Sequence, residues 1–204
     1  MPDDKLRILI LSPIPPYPPH GGWQTVIYND AKFLARRGHE IKLLSIAYDP
    51  QADSADMADI GEAEYFVIKR RPQWRQVLSN LGHPLPYTVE RHIDDRLLAR
   101  AVELVRSGYP DVVLIEDVVM GWYAARLKRE ASVPIFLRSH NVNTKIVERF
   151  YKMQRNPVLR FLGRRQWSKF DRYERSVWET SDGVSQISPV DAALAREMNP
   201  RVEQ

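Results

Sequence analysis

The chain has no cysteine, which excludes disulfide staples, thiolate nucleophiles and cysteine-ligated zinc or iron–sulfur centres. A reducing cytoplasm is compatible with that composition. Glycine is sparse, 9 in 204 residues, and neither G-x-G-x-x-G nor G-x-x-x-x-G-K-[ST] occurs. The usual nicotinamide or flavin fingerprint and the P-loop are therefore both missing. No stretch approaches the roughly 20 apolar residues that span a bilayer, and the polar, acidic start at Met1 to Lys5 does not read as a signal peptide. The five histidines (His20, His39, His83, His92, His140) are scattered, with no pair at zinc-helix spacing. A large charge imbalance is lacking too: 30 Lys and Arg face 26 Asp and Glu, a net +4, too little to argue for a nucleic-acid partner.

With 44% hydrophobic and 27% charged residues, the chain has material for a sizeable core. Its 204 residues fit one α/β domain of the usual ~100–200 residues and are too few for a complete two-domain enzyme. The charge is unevenly spread. Residues 142–180 hold ten basic and four acidic side chains, a net +6, which leaves the rest slightly negative.

Short apolar runs punctuated by Pro and Gly read as buried strands at 7–12 (RILILS), 40–46, 65–69, 111–116, 134–139 and 183–187. Apolar residues at helical spacing mark helices from Trp23 to a stop at Gly38, at 93–105, at 120–130, and as two helices in 143–180 broken near Asn156-Pro157. Residues 73–88, with Pro84 and Pro86, read as irregular. Ser188-Pro189 with Asp191 is a helix start, with Ser as N-cap and Pro in the first position. Strands alternating with helices imply a doubly wound, Rossmann-like parallel sheet. Ligands of such sheets bind beyond the carboxyl ends of the strands, where strand order reverses. Three tips are therefore candidate sites: after Ser12, after Glu116 and after Ser139.

The first tip is a proline-rich loop ending in Gly21-Gly22 before a helix. Two glycines there either form a tight turn or bring bare amides to a phosphate, which a helix N-terminus favours. His140, at the tip of the fifth strand, is either a packing residue or a hydrogen-bonding group at the crevice. Glu116 and Asp117 end the fourth strand, as loop acids or as hydrogen-bond acceptors for a ligand's hydroxyls. In 142–180, aromatic residues interleave with arginines, which suits either packing on the core or contact with an anionic membrane surface.

The order of strand, Ser-Pro, proline-rich loop, Gly21-Gly22, Leu34-Ala35-Arg36-Arg37-Gly38-His39-Glu40 and a second strand resembles the N-terminal domain of family-four retaining GT-B glycosyltransferases. It continues through Pro110-Asp111-Val112-Val113, His140 and Ser188-Pro189, and so covers nearly the whole chain. The resemblance implies a domain, 1–204, on the acceptor side of a transferase. It implies that sugar passes with retention from a nucleotide-sugar to a glycan or lipid-linked acceptor, and that a C-terminal donor-binding domain of the same enzyme is expected beyond this chain. It implies Gly21 and Gly22 at the donor diphosphate, His140 against the transferred sugar, and Gln24 and Lys145 at a phosphorylated acceptor. No metal and no resident cofactor are expected. Localisation is expected to be cytoplasmic, at the inner membrane face if 142–180 touches lipid, with no nucleic-acid partner. The rival reading is a stand-alone Rossmann-like module that binds a small ligand or a protein without catalysis.

Overall fold

The computed structural model describes residues 5–53, 57–69 and 72–200. Six parallel strands form one sheet: β1 (Arg7–Ser12), β2 (Glu40–Ala47), β3 (Glu62–Val67), β4 (Val112–Glu116), β5 (Ile135–Ser139) and β6 (Gly183–Gln186), in the order β3-β2-β1-β4-β5-β6. The chain winds outward from β1 to β3, then returns to lay β4 beside β1. Strand order reverses there, so the switch point, where ligands of such sheets bind, lies between the ends of β1 and β4.

Residue alternation builds two cores. Ile8 and Ile10 of β1 face α1 (Gly22–Arg36) through Ile27 and Ala31. Leu9 and Leu11 face the opposite layer of α4 (Asp95–Arg106), α5 (Ala124–Glu130) and α7 (Pro157–Thr180). Both faces of the central strands are covered, as their continuous apolar runs require. Burying each such side chain stabilises the fold by roughly 1.5–3 kcal/mol. Phe170, Tyr173 and Val177 of α7 are buried in this second core, so their spacing did mark a packing face.

Three readings of the sequence need correction. Residues 73–88 are not wholly irregular: α2 (Gln73–Ser79) follows Pro72 and α3 (Tyr87–Glu90) follows Pro86, because proline's fixed φ suits it to a helix start. The helix expected at 120–130 is a 3-10 turn (Val118–Met120) and then α5, with Gly121 between. A Cβ on Gly121 would stand 2.3 Å from a Val177 methyl, so α7 packs directly on that turn. Finally, β3 begins earlier than expected and ends at Val67.

The pair α6 (Asn143–Met153) and α7 is broken at the expected place, with Asn156 capping α7 and Pro157 in its first turn. The two helices pack antiparallel. Tyr151 stacks obliquely on Trp167 with ring centroids 5.6 Å apart. A Cβ on Gly163 would lie 2.7 Å from that of Tyr151, so glycine is what lets the helices close. The final helix, α8 (Pro189–Met198), is capped by Ser188, whose Oγ accepts from the Asp191 amide at 3.1 Å.

Candidate active site at the strand switch point

The turn after β1 is held by its own side chains. Thr25 Oγ1 donates to the Gly21 carbonyl at 2.9 Å, and Gln24 Nε2 reaches the Pro15 carbonyl at 3.4 Å. Gly21 is the N-cap of α1 in extended conformation (φ −125°, ψ 163°), with no side chain capping the first turn; α4, α7 and α8 are all capped by side chains. Neither glycine has positive φ, and a Cβ on Gly22 would meet nothing within 4 Å. Among the described residues nothing demands glycine at Gly22, which leaves the space open to an outside group.

His140 sits just past β5 and is only 2% exposed. Its Nε2 lies 3.1 Å from Oε2 of Glu116 at the end of β4. Because a carboxylate only accepts, this contact fixes the Nε2–H tautomer and holds the ring in place. Trp23, the residue after Gly22, meets the imidazole edge-on with centroids 5.9 Å apart at 79°. The glycine turn and the imidazole therefore converge on one rim of the sheet.

A charged relay stands behind them. Glu116 Oε1 is 3.2 Å from Arg138 Nη1, and the same nitrogen pairs with Asp30 of α1. Glu116 and Arg138 are register partners across β4 and β5, so sheet pairing alone brings them together. Burial raises the Asp30 pKa although Arg138 opposes it. The relay thus joins α1, β4 and β5 at the crevice.

Asp117 follows at φ 73°, a strained position for a side chain larger than glycine. Asn143 Nδ2 donates to its Oδ1 at 3.5 Å, and two backbone contacts hold it there. Its amide donates to the Arg138 carbonyl at 2.8 Å, and its Oδ1 accepts from the Val119 amide at 3.1 Å, capping the 3-10 turn. Its Oδ2 has no hydrogen-bond partner, and burial pushes its pKa up to about 6. Glu174 of α7 lies nearby and accepts from the Asn143 and Thr144 amides at 2.9 and 2.8 Å, capping α6. Burial pushes its pKa up to about 7, against the pull of those two amides.

Of the residues singled out from sequence, Gly21, Gly22, Gln24, Glu116, Asp117 and His140 gather at this rim. Glu116 and Asp117 have no exposed surface, and Glu116 is engaged with His140 and Arg138 instead of lying open to an acceptor. Lys145, in the first turn of α6, is half-buried and lies 3.7 Å from Glu148. Sequence reasoning missed Trp23, Asp30, Arg138 and Glu174. Further along the rim, a cleft of about 300 Å³ opens at the ends of β2 and β3, lined by Tyr48, Lys69, Tyr87, Glu90 and Arg91 among others. Among the described residues no three side chains of His, Cys, Asp or Glu gather into a metal-binding group.

An all-parallel sheet of this order is a Rossmann-like, doubly wound fold, and it matches one half of the GT-B architecture. The chain belongs to the glycosyl transferase 4-like domain family, whose model matches residues 21–204. Three solved structures share the fold. Sucrose-phosphate synthase from Thermosynechococcus elongatus is 15% identical with a TM-score of 0.64, covering 97% of this chain and 46% of that one. HepE from Anabaena in complex with UDP is 15% identical with a TM-score of 0.53, covering 95% and 41%. UGT2 from Phytolacca americana, complexed with UDP-2fluoro-glucose and pterostilbene, is 10% identical with a TM-score of 0.52, covering 92% and 49%. The chain thus spans under half the length of each. No curated protein matches its sequence.

Proposed function

We propose that this chain is the acceptor-side, N-terminal domain of a retaining hexosyltransferase, which moves a sugar from a nucleotide-sugar to a glycan or lipid-linked acceptor. The observation that carries the reading is the meeting of the Gly21-Gly22 turn with His140 across Trp23. A ligand seated there meets uncapped amides at one end, with the buried imidazole behind Trp23 at the other. In this reading the donor diphosphate approaches Gly21 and Gly22, where the start of α1 favours negative charge. His140 lies beside the transferred sugar. Gln24 and Lys145 face a phosphate or hydroxyl of the acceptor, and a C-terminal domain of the same enzyme supplies the remaining donor contacts. UDP and a UDP-sugar in two of the similar structures support the donor class.

The chemistry asks for orientation more than for a nucleophile. As the bond from the anomeric carbon to the diphosphate oxygen breaks, the acceptor oxygen bonds that carbon on the same face, and its proton passes to the leaving diphosphate. The protein contributes alignment and stabilisation of developing charge. Glu116 and Arg138 keep the imidazole in place and Asp117 holds the turn after β4. No metal or resident cofactor enters this scheme.

The test uses full-length protein and calorimetric titration with a panel of nucleotide-sugars. Gly22→Val should weaken binding of the best donor by about tenfold or more, because the new side chain occupies space that is empty in the fold. Unchanged affinity in a folded Gly22→Val protein would remove the diphosphate from this turn.

A further inference from the structure

We propose that the tip of the α6–α7 hairpin is a docking surface for an anionic membrane. With Glu174 against the first turn of α6, the two helices run side by side away from β5 and join beyond the core. Apolar side chains there face water. Phe150, Met153, Val158, Leu159 and Phe161 are all exposed, Met153 at 79% and Phe161 at 58%. Phe150 with Met153, and Val158 with Phe161, stand three apart on their helices, spacing that in most helices marks a face turned to the core. Here that spacing points outward, and apolar side chains exposed together at one helix junction mark an interaction site.

Charge selects the occupant. From Arg149 to Arg165 there are six basic residues and no acidic one. Lys152 pairs with Glu148, while Arg149, Arg155, Arg160 and Arg164 have no ion pair among the described residues. Apolar side chains at a protruding apex with arginines around them match the two layers of an anionic bilayer surface, acyl carbon below and phosphate above. Nucleic acid fits less well, since Met, Val and Leu offer no stacking platform. No helix among the described residues is long and apolar enough to cross a membrane, so the contact is peripheral. The proposal does not rest on the transferase reading, although it would bring a lipid-linked acceptor to the rim.

The experiment is flotation of full-length protein with vesicles of phosphatidylcholine alone and of phosphatidylcholine with phosphatidylglycerol. The expected result is capture by the anionic vesicles at low salt, release at high ionic strength, and none by the neutral ones. Met153→Ser with Phe161→Ser, and separately Arg155→Gln with Arg160→Gln, should each weaken capture about tenfold or more with an unchanged circular dichroism spectrum. Failure to float, equal capture by neutral vesicles, or undiminished capture of both folded variants overturns the proposal. So does a tip that holds a second copy or another protein, seen as variants that change molecular mass in solution while wild type ignores vesicles.

Discussion

The two ends of one hairpin treat water in opposite ways. At its base, beside β5, α7 buries the Glu174 carboxyl against two backbone amides of α6; at its tip the same pair of helices leaves Phe150, Met153 and Phe161 exposed. The buried carboxyl serves the fold, because it satisfies amides that would otherwise be orphaned and fixes α6 just after His140. The exposed carbon at the tip is turned mostly to water. The difference shows that an unusual residue is structural when its partners are internal, and points outward when they are not.

The sharpest way to break this comparison is to remove the base. Glu174→Ala strips both amides of their acceptor and should destabilise the protein by about 3 kcal/mol, read from denaturant unfolding. A loss below about 1 kcal/mol would mean that the base is as dispensable as the tip.

A second effect is pH dependence. Asp117 and Glu174 have pKa values raised by burial from 3.8 to about 6 and from 4.5 to about 7. Each binds its proton more tightly when folded. Their contribution is therefore full below the unfolded values and is lost as pH rises through 6 and 7, about 3 kcal/mol per group. Unfolding midpoints measured across this range should fall more steeply for wild type than for Asp117→Asn combined with Glu174→Gln. Equal slopes would show that neither carboxyl is perturbed.

The smallest effect belongs to the tip. Phe161→Ser should change stability by no more than about 0.5 kcal/mol, because the ring is mostly exposed. A cost near that of Glu174→Ala would place Phe161 in a core.

Much of this arrangement was legible in the sequence, for identifiable reasons. Central strands such as β1 and β4 are apolar on both faces, so their runs stand out. β3 lies at the sheet edge, with half-buried residues and outward Glu62 and Glu64, so its densest apolar run lies late in the strand. Pro72 and Pro86 read as breakers yet begin helices. At the site, Gly21, Gly22 and His140 were visible because each follows a strand. The links among Asp30, Arg138, Glu116 and Trp23 were not, because the pairs lie far apart in sequence. The Glu116–Arg138 register pairing emerges only once strand order is known, and Trp23 was signalled only by an aromatic placed after two glycines.

The central claim is that the rim joining Gly22, Trp23 and His140 is where a sugar is transferred. The most direct test is turnover by the full-length enzyme, with its best donor and acceptor, in wild type and in His140→Ala. The account predicts a fall in kcat of about 100-fold or more, with donor affinity within about twofold and the fold intact. Wild-type turnover in the folded variant would contradict it.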